Sequence, residues 1–352
     1  MRIAALDIGG ANIKAYVSSS GEPPGPEGAL TWPFALWKYP DKLADQLESC
    51  LRALAPLEHL SVTLTGELCD AYRTKREGVR AILESVRTAA TRGLTFEAGV
   101  GAGSIEVWRN DGTWKDLEDA MDDPLPCAAG NWLALATYAG RWAPLGDALL
   151  LDIGSTTTDI ILLCDGRPLP VGRTDPARLQ SGELVYTGVE RTPIAAVVDK
   201  LPFGDGLCPV ATEFFATTRD AYILLGKLNE EPTDTDTADG RPANRPYAHE
   251  RLARMVCADR EIFDSRDAEA AAGYILEQQT ALLRTQAERV LERSADALET
   301  VIVSGSGEFL AQQVAAQLQA PVVSFEHYHG PAVSRVATAF ALQQLSLEKV
   351  TP

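Results

Sequence analysis

Two periods alternate along this chain. Ile3-Ala4-Ala5-Leu6 runs into Asp7-Ile8-Gly9-Gly10, and residues 2–7 and 12–18 read as strands on either side of that glycine turn. A further strand is expected near Thr31 to Trp37. Residues 41–55 then place Leu43, Leu47, Leu51 and Leu54 at helical spacing, and 76–91 do the same with Val79, Ile82, Leu83 and Val86. A third helix is predicted over 127–142. After it the opening pattern returns: strands over 148–153 and 159–164, a tight turn at Asp165-Gly166, and a strand leading to Val171. A long helix over 267–294 shows an inner stripe of Ala272, Ile275, Leu276, Leu283, Val290 and Leu291. Strands 300–304 and 321–325 flank a helix through Leu310, Val314 and Leu318, and a last helix covers Pro331 to Leu345.

The recurrence extends to letters. Leu6-Asp7-Ile8-Gly9-Gly10 reappears as Leu151-Asp152-Ile153-Gly154-Ser155, each followed by a polar tail, Ala11-Asn12-Ile13-Lys14 and Thr156-Thr157-Thr158-Asp159. A strand that stops at Asp and turns on glycine brings a carboxylate and bare backbone N–H groups together, which suits phosphate. Gly9, Gly10, Ala11 and Asn12 in one copy and Gly154, Ser155, Thr156 and Thr157 in the other are the candidate phosphate binders. Asp7 and Asp152 would hold Mg2+ through water, and Lys14 would add a point charge on phosphate. Duplication predicts two domains with a phosphate cleft between them: residues 1–145 with the C-terminal helix 331–348, and 146–330. Polar stretches at 172–193 and 229–247 read as insertions in the second. The plain alternative for either aspartate is a cap on its own turn.

Composition narrows the partners. The chain has 352 residues, enough for two cores, and 45% of them are hydrophobic, which excludes a disordered chain. Its net charge is −17, which argues against nucleic acid and anionic membranes as partners. Small phosphates remain open, because N–H groups and a cation neutralise them locally. Six cysteines without C-x-x-C spacing suggest buried thiols in a reduced, cytoplasmic protein. The chain is expected to enter a strand directly after Met1-Arg2, on which reading no signal peptide is expected, and no apolar run approaches a membrane span. A homodimer is an open option.

These motifs resemble the superfamily of sugar kinases, seventy-kilodalton heat-shock proteins and actin. Besides the two phosphate loops, Leu60 to Glu67 resembles its first connecting segment, Val301 to Gly307 its adenosine motif, and Pro331 to Leu345 its second connecting helix. The resemblance implies an α/β fold of two ribonuclease-H-like, actin-like ATPase domains. It adds Gly305, Ser306 and Gly307 to the phosphate binders. It makes Glu67 a candidate general base or second metal carboxylate, with a helix-start carboxylate as the plain alternative. Asp70, Arg73 and Lys75 follow on a segment that would line a substrate pocket.

A narrower likeness lies at Thr174-Asp175, Arg178-Leu179, Gly182 to Val189 and Arg191-Thr192-Pro193, with Thr65 to Leu68, Asn131-Trp132, Glu213 to Thr217 and Ala238 to Pro242. These resemble the short, single-chain branch of the hydantoinase A/oxoprolinase-like proteins, tied to tetrahydromethanopterin and methanofuran pathways. The resemblance implies a transferase that joins an aminomethylfuran-methyl diphosphate to the phenol of a glutamyl-tyramine, a phenolic amine, and releases diphosphate without ATP hydrolysis. On it, Arg178, Arg191 and Lys75 would hold diphosphate or the glutamyl carboxylate. Asn131, Thr192, Glu213 and Asp239 would be further substrate contacts. Glu67 or Asp159 would take the phenol proton. Two other functions stay open: an ATP-dependent kinase or ATP-driven amidohydrolase, favoured by Gly305-Ser306-Gly307, and a non-catalytic module switched by nucleotide. His327 and His329, one residue apart on an expected strand, are a weak metal candidate without a third ligand.

Overall fold

The structure, a computed structural model, describes residues 1–93, 105–294 and 296–350. The chain divides into two compact units. One comprises Met1–Ala148, Ile161–Gln180 and Ser324–Pro352, the other Leu149–Ile160 and Ser181–Val323.

The first half of the chain forms β1 (Arg2–Ile8), β2 (Asn12–Ser19), β3 (Ala29–Pro33), α1 (Leu43–Leu54), β4 (His59–Leu64), α2 (Lys75–Gly93), β5 (Ile105–Trp108), β6 (Trp114–Asp116), α3 (Leu117–Asp122) and α4 (Asn131–Ala139). Its sheet runs β3-β2-β1-β4-β5-β6. It is mixed: β1 is antiparallel to β2 and parallel to β4. Period-two alternation sends Ala4, Leu6 and Ile8 into a core with Leu47, Leu51, Val79 and Ile82 of α1 and α2. Ile3, Ala5 and Asp7 therefore belong to the opposite face of the sheet.

The second half forms β7 (Asp147–Ile153), β8 (Thr158–Cys164), β9 (Arg167–Pro168), α5 (Asp175–Ser181), β10 (Leu184–Val185), β11 (Lys200–Phe203), β12 (Gly206–Pro209), α6 (Thr218–Leu224), α7 (Arg245–Arg254), α8 (Ser265–Leu291), β13 (Leu298–Ser304), α9 (Glu308–Gln317) and β14 (Val322–Ser324). Three helices end the chain: α10 (Phe325–His329), α11 (Pro331–Arg335) and α12 (Ala337–Val350). The second sheet runs β10-β8-β7-β13-β14. β9 also pairs with β8, off this path; with it left aside, the order counted from the sheet's own first strand is that of the first five strands of the first sheet: third, second, first, fourth, fifth. The α/β fold with two such sheets is the ribonuclease-H-like arrangement expected from the repeat. α12 packs on β1, β2, β4 and α4, with Phe340 edge-on to Tyr16 at 4.8 Å and Gln343 Nε2 donating to Ser18 Oγ at 2.8 Å.

Several expected elements differ in extent. Ala129 adopts φ 47°, so the third helix begins only at Asn131. Asp165 and Gly166 both have positive φ, 47° and 73°, as the tight hairpin turn requires, but the strand beyond it ends at Pro168. The final helix is broken at Val336, whose φ of −114° leaves α11 and α12 as separate pieces. The stretch 325–329 is helical rather than extended, because Ser324 caps it by accepting the His327 N–H at 2.9 Å. The His327 and His329 argument from strand alternation falls with that. The expectation of buried thiols holds only for Cys50 and Cys127; Cys69, Cys164 and Cys208 are partly exposed and Cys257 is exposed. No helix among the described residues is long and apolar enough to cross a membrane.

Candidate phosphate turns and carboxylates

The two glycine turns share their hydrogen bonds as well as their letters. Gly9 N–H donates to the Asn12 carbonyl at 3.0 Å, and Gly154 N–H to the Thr157 carbonyl at 2.9 Å. A second segment ties down each turn. Phe34 and Leu36 N–H donate to the Ala11 and Gly10 carbonyls, both at 2.9 Å. In the other unit Val189 N–H donates to Gly154 at 3.1 Å, and Glu190 and Arg191 N–H both donate to Ser155 at 3.0 Å. The end of the fourth strand closes each from below. Thr65 and Gly66 N–H reach the Ile8 carbonyl at 2.9 and 3.1 Å, and Gly307 N–H reaches Ile153 at 2.8 Å. With the carbonyls engaged this way, each turn is held in one shape from three directions.

Glycines make these approaches possible. A Cβ at Gly188 would stand 2.5 Å from the Gly154 carbonyl oxygen, and one at Gly305, where φ is +94°, would stand 2.3 Å from that of Ile153. Gly305-Ser306-Gly307 thus packs directly on the backbone of the second turn. By contrast, a Cβ at Gly10 would meet nothing within 4 Å.

Asp7 is buried and lies across from Lys14 in the β1–β2 register. Its Oδ2 accepts from the Thr338 hydroxyl of α12 at 2.6 Å. Asp152 Oδ1 accepts from the Ser304 hydroxyl at the end of β13, at 2.7 Å. Asp159 is buried on β8, opposite Leu184 of β10.

Glu67 follows β4 and is 1% exposed. Its Oε2 is buried and has no hydrogen-bond partner. Burial pushes this carboxyl from an ordinary 4.5 up to about 7; Lys75 opposes the shift and Asp175 and Asp7 add to it. Lys75 Nζ lies 3.8 Å from Glu67 Oε1 but pairs directly with Asp175. Gly78 brings α2 onto this segment, since a Cβ there would overlap the Glu67 carbonyl.

Among the described residues no cluster of three or more His, Cys, Asp or Glu is placed to hold a metal ion. The donors at each turn are hard oxygens, a carboxylate with neighbouring hydroxyls and carbonyls. That set fits Mg2+, which takes one or two carboxylates and keeps water and substrate oxygens for the rest.

Residues 58–346 match the hydantoinase/oxoprolinase family. The chain belongs to that family. A protein of Methanocaldococcus jannaschii named (4-{4-[2-(gamma-L-glutamylamino)ethyl]phenoxymethyl}furan-2-yl)methanamine synthase is 30% identical over 97% of this chain and 97% of its own length. One of the same name from Methanococcus vannielii is 30% identical over 56% of this chain and 90% of its own. A nucleotide-free acetone carboxylase structure superposes with a TM-score of 0.48 at 13% identity, over 90% of this chain and 50% of that one. The chain spans half the length of that protein, and a likeness of that degree carries no functional argument.

The residues expected to meet substrate lie in varied surroundings. Arg178 is 1% exposed, with its guanidinium 4.1 Å over the Trp132 ring. Asn131 opens α4, and Asp70 and Arg73 are exposed ahead of α2. Arg191 leaves the strap over the second turn and lies 3.8 Å from Asp236. Thr192 Oγ1 accepts from Gly188 N–H at 2.9 Å and so holds that strap. Glu213 is exposed on the segment before α6. Asp239 is bound to Arg241, Arg251 and Arg254. Burial would raise its carboxyl, but the Arg241 and Arg251 guanidiniums bring it down to about 2.

Sequence reasoning did not single out Thr338, Ser304 or Gln279, or give Asp175 a role. Gln279 on α8 is buried and donates to Thr187 Oγ1 at 2.8 Å and the Gly188 carbonyl at 2.9 Å, a further tie on the strap. A buried polar position in the apolar stripe of α8 was the available signal for it.

Proposed function

We propose that this protein forms an aryl ether, joining a furan-methyl carbon to the phenol oxygen of a tyramine-type acceptor and expelling diphosphate. The observation that carries this is the pair of built glycine turns, each following a strand whose penultimate residue is an aspartate and each held in one shape by its own unit. The relatives' name supports it, because their product contains a phenoxymethyl-furan: a bond between a furan-bearing CH2 and a phenol oxygen. Making that bond requires a leaving group on the carbon, and backbone N–H nests suit a phosphate leaving group.

The electron account is simple. The C–O bond to diphosphate breaks, its electron pair leaves with the diphosphate, and the furan ring stabilises the positive charge left on carbon. The phenol oxygen then bonds to that carbon and gives up its proton. Glu67 is the acceptor favoured here, since its buried Oε2 has no partner and its carboxyl titrates near neutrality. Each turn, Gly9–Asn12 with Lys14 beside it and Gly154–Thr157, offers N–H groups to phosphate oxygens of such a leaving group. Asp7 and Asp152 would each be a carboxylate ligand for Mg2+, which when bound supplies charge neutralisation for the leaving group.

The kinase and amidohydrolase readings draw on Gly305-Ser306-Gly307. Their close packing on Ile153 accounts for these glycines without a nucleotide. The deciding experiment incubates the protein with aminomethylfuran-methyl diphosphate, glutamyl-tyramine and Mg2+. Ether and free diphosphate should appear in equal amounts, with no acceleration by ATP. Product that forms only with ATP, with ADP in proportion, would establish the kinase or amidohydrolase reading instead.

A further inference from the structure

Each glycine-turn aspartate accepts a hydrogen bond from a buried hydroxyl of its own unit. Thr338 Oγ1 donates to Asp7 Oδ2 at 2.6 Å, and Ser304 Oγ donates to Asp152 Oδ1 at 2.7 Å. Thr338 is 5% exposed and Ser304 0%. The hydroxyls come from unrelated places, the first turn of α12 and the last residue of β13. The arrangement is therefore not a by-product of the duplicated turn itself.

Thr338 differs from the threonines in the interiors of α2, α4 and α8, as does Thr218 at the start of α6, whose hydroxyl reaches the distant Gly188 carbonyl at 2.9 Å. Thr91, Thr137, Thr280 and Thr285 each donate to the carbonyl four residues back, at 2.9, 2.6, 2.7 and 2.9 Å. That is the default for a threonine inside a helix. Thr338 instead gives its proton to a carboxylate in a strand more than three hundred positions away. The break at Val336 restarts the helix one residue earlier, at Ala337.

The physical need is orientation. The terminal torsion of an aspartate is broad, so packing alone fixes its carboxylate plane poorly. A charge-assisted O–H···O bond of this length commits one oxygen and aims the other. We propose that Thr338 and Ser304 are positioning residues, each aiming the aspartate of its own unit at a hydrated Mg2+, so that α12, through Thr338, belongs to the phosphate-binding machinery of the first turn. This rests on the magnesium and diphosphate reading above.

The test is calorimetric titration of the full chain with Mg2+ in the presence of inorganic diphosphate, alongside the ether-forming rate. Thr338→Val should weaken Mg2+ binding on the order of ten- to a hundredfold, the usual effect of losing a partner behind a metal ligand. Thr338→Ser, which keeps the hydroxyl, should restore it to within about threefold. Ser304→Ala should act like Thr338→Val, and it keeps the proposal testable if the valine variant does not fold. Wild-type-like affinity in Thr338→Val or Ser304→Ala overturns the positioning role while leaving the diphosphate reading standing. So does a serine variant as weak as the valine one, because packing would then be the cause. A wild-type protein that binds neither Mg2+ nor diphosphate overturns both.

Discussion

Lys75 stands between two carboxylates and favours one: its ammonium pairs directly with Asp175, while Glu67 Oε1 is 3.8 Å away. Glu67 is thus left with only partial compensation for its burial. Below about pH 4.5 its carboxyl is protonated in the folded and the unfolded chain alike. Between there and about pH 7 the unfolded chain releases the proton and the folded one keeps it. Stability must therefore fall as pH rises through that window, by on the order of 3 kcal/mol in all. Glu67→Gln should remove this slope and be the more stable protein at pH 8. Urea midpoints at pH 4.5, 6 and 8 for both proteins check this, and parallel curves would show that Glu67 titrates normally.

The same group bears on rate. If Glu67 accepts the phenol proton, activity should rise with pH through about 7, and Glu67→Gln should flatten that limb. Asp175→Asn should release Lys75 to Glu67 and move the limb to lower pH. A pH–rate profile for the three proteins tests the assignment, which an unmoved limb in Asp175→Asn contradicts.

Asp7→Asn and Asp152→Asn keep an acceptor for the Thr338 and Ser304 hydroxyls but remove the charge. Each should lower the ether-forming rate about a hundredfold or more, the scale of losing one stabiliser of transition-state charge. Circular dichroism and the melting temperature should stay near those of the wild type. Near-normal turnover in either variant would remove that aspartate from the chemistry.

The two glycine turns were legible in the sequence because both the letters and the periodicity repeat, and the structure gives them matching hydrogen bonds. The ties over each turn were not. Phe34 and Leu36 in one unit and Val189 to Arg191 in the other share no motif, since backbone N–H groups make those bonds and any residue but proline supplies one. Nothing in the sequence marks Thr338 within the last helix, because a hydroxyl's partner depends on which sheet face the helix covers. The histidine pair was misjudged for a local reason: Phe325 to His329 is too short for periodicity to separate strand from helix, and the Ser324 cap decided it. Arg178 and Asp239 carry charges that sequence alone assigns to solvent or substrate; burial against Trp132 redirects Arg178, and the buried Arg251 guanidinium draws in Asp239, which is itself exposed.

Glycines in the turns divide by what they face. Gly10 meets nothing, so Gly10→Ala should leave stability within about 0.5 kcal/mol of wild type. Its methyl would protrude into the space where a nest must receive phosphate, so diphosphate affinity should still drop. Gly188 faces the Gly154 carbonyl at close range, and Gly188→Ala should cost about 1–3 kcal/mol as strap and turn separate. Denaturation midpoints and diphosphate titrations on both variants separate the two effects. Equal destabilisation by the two alanines would mean that Gly10 is structural.

Asp239 offers the sharpest contrast between a substrate contact and a structural anchor. Arg251 is fully buried and bonds Asp220 at 2.7 Å and Asp239 at 3.0 Å, and Asp220 in turn accepts the Thr217 N–H that starts α6. Burial raises the Asp220 carboxyl despite Arg251, so this ion pair is poorly solvated and depends on both members. Arg251→Met should strand Asp220 and cost about 3–5 kcal/mol, the usual result of breaking a buried pair on one side. Asp239→Asn removes one of two carboxylates from Arg251 and should cost about 1–2 kcal/mol. If the network only holds α6 and α7 together, the Michaelis constants of folded Asp239→Asn for both substrates should match the wild type at low temperature. A KM raised tenfold or more for the glutamyl-tyramine, with kcat unchanged, would instead return Asp239 to the substrate.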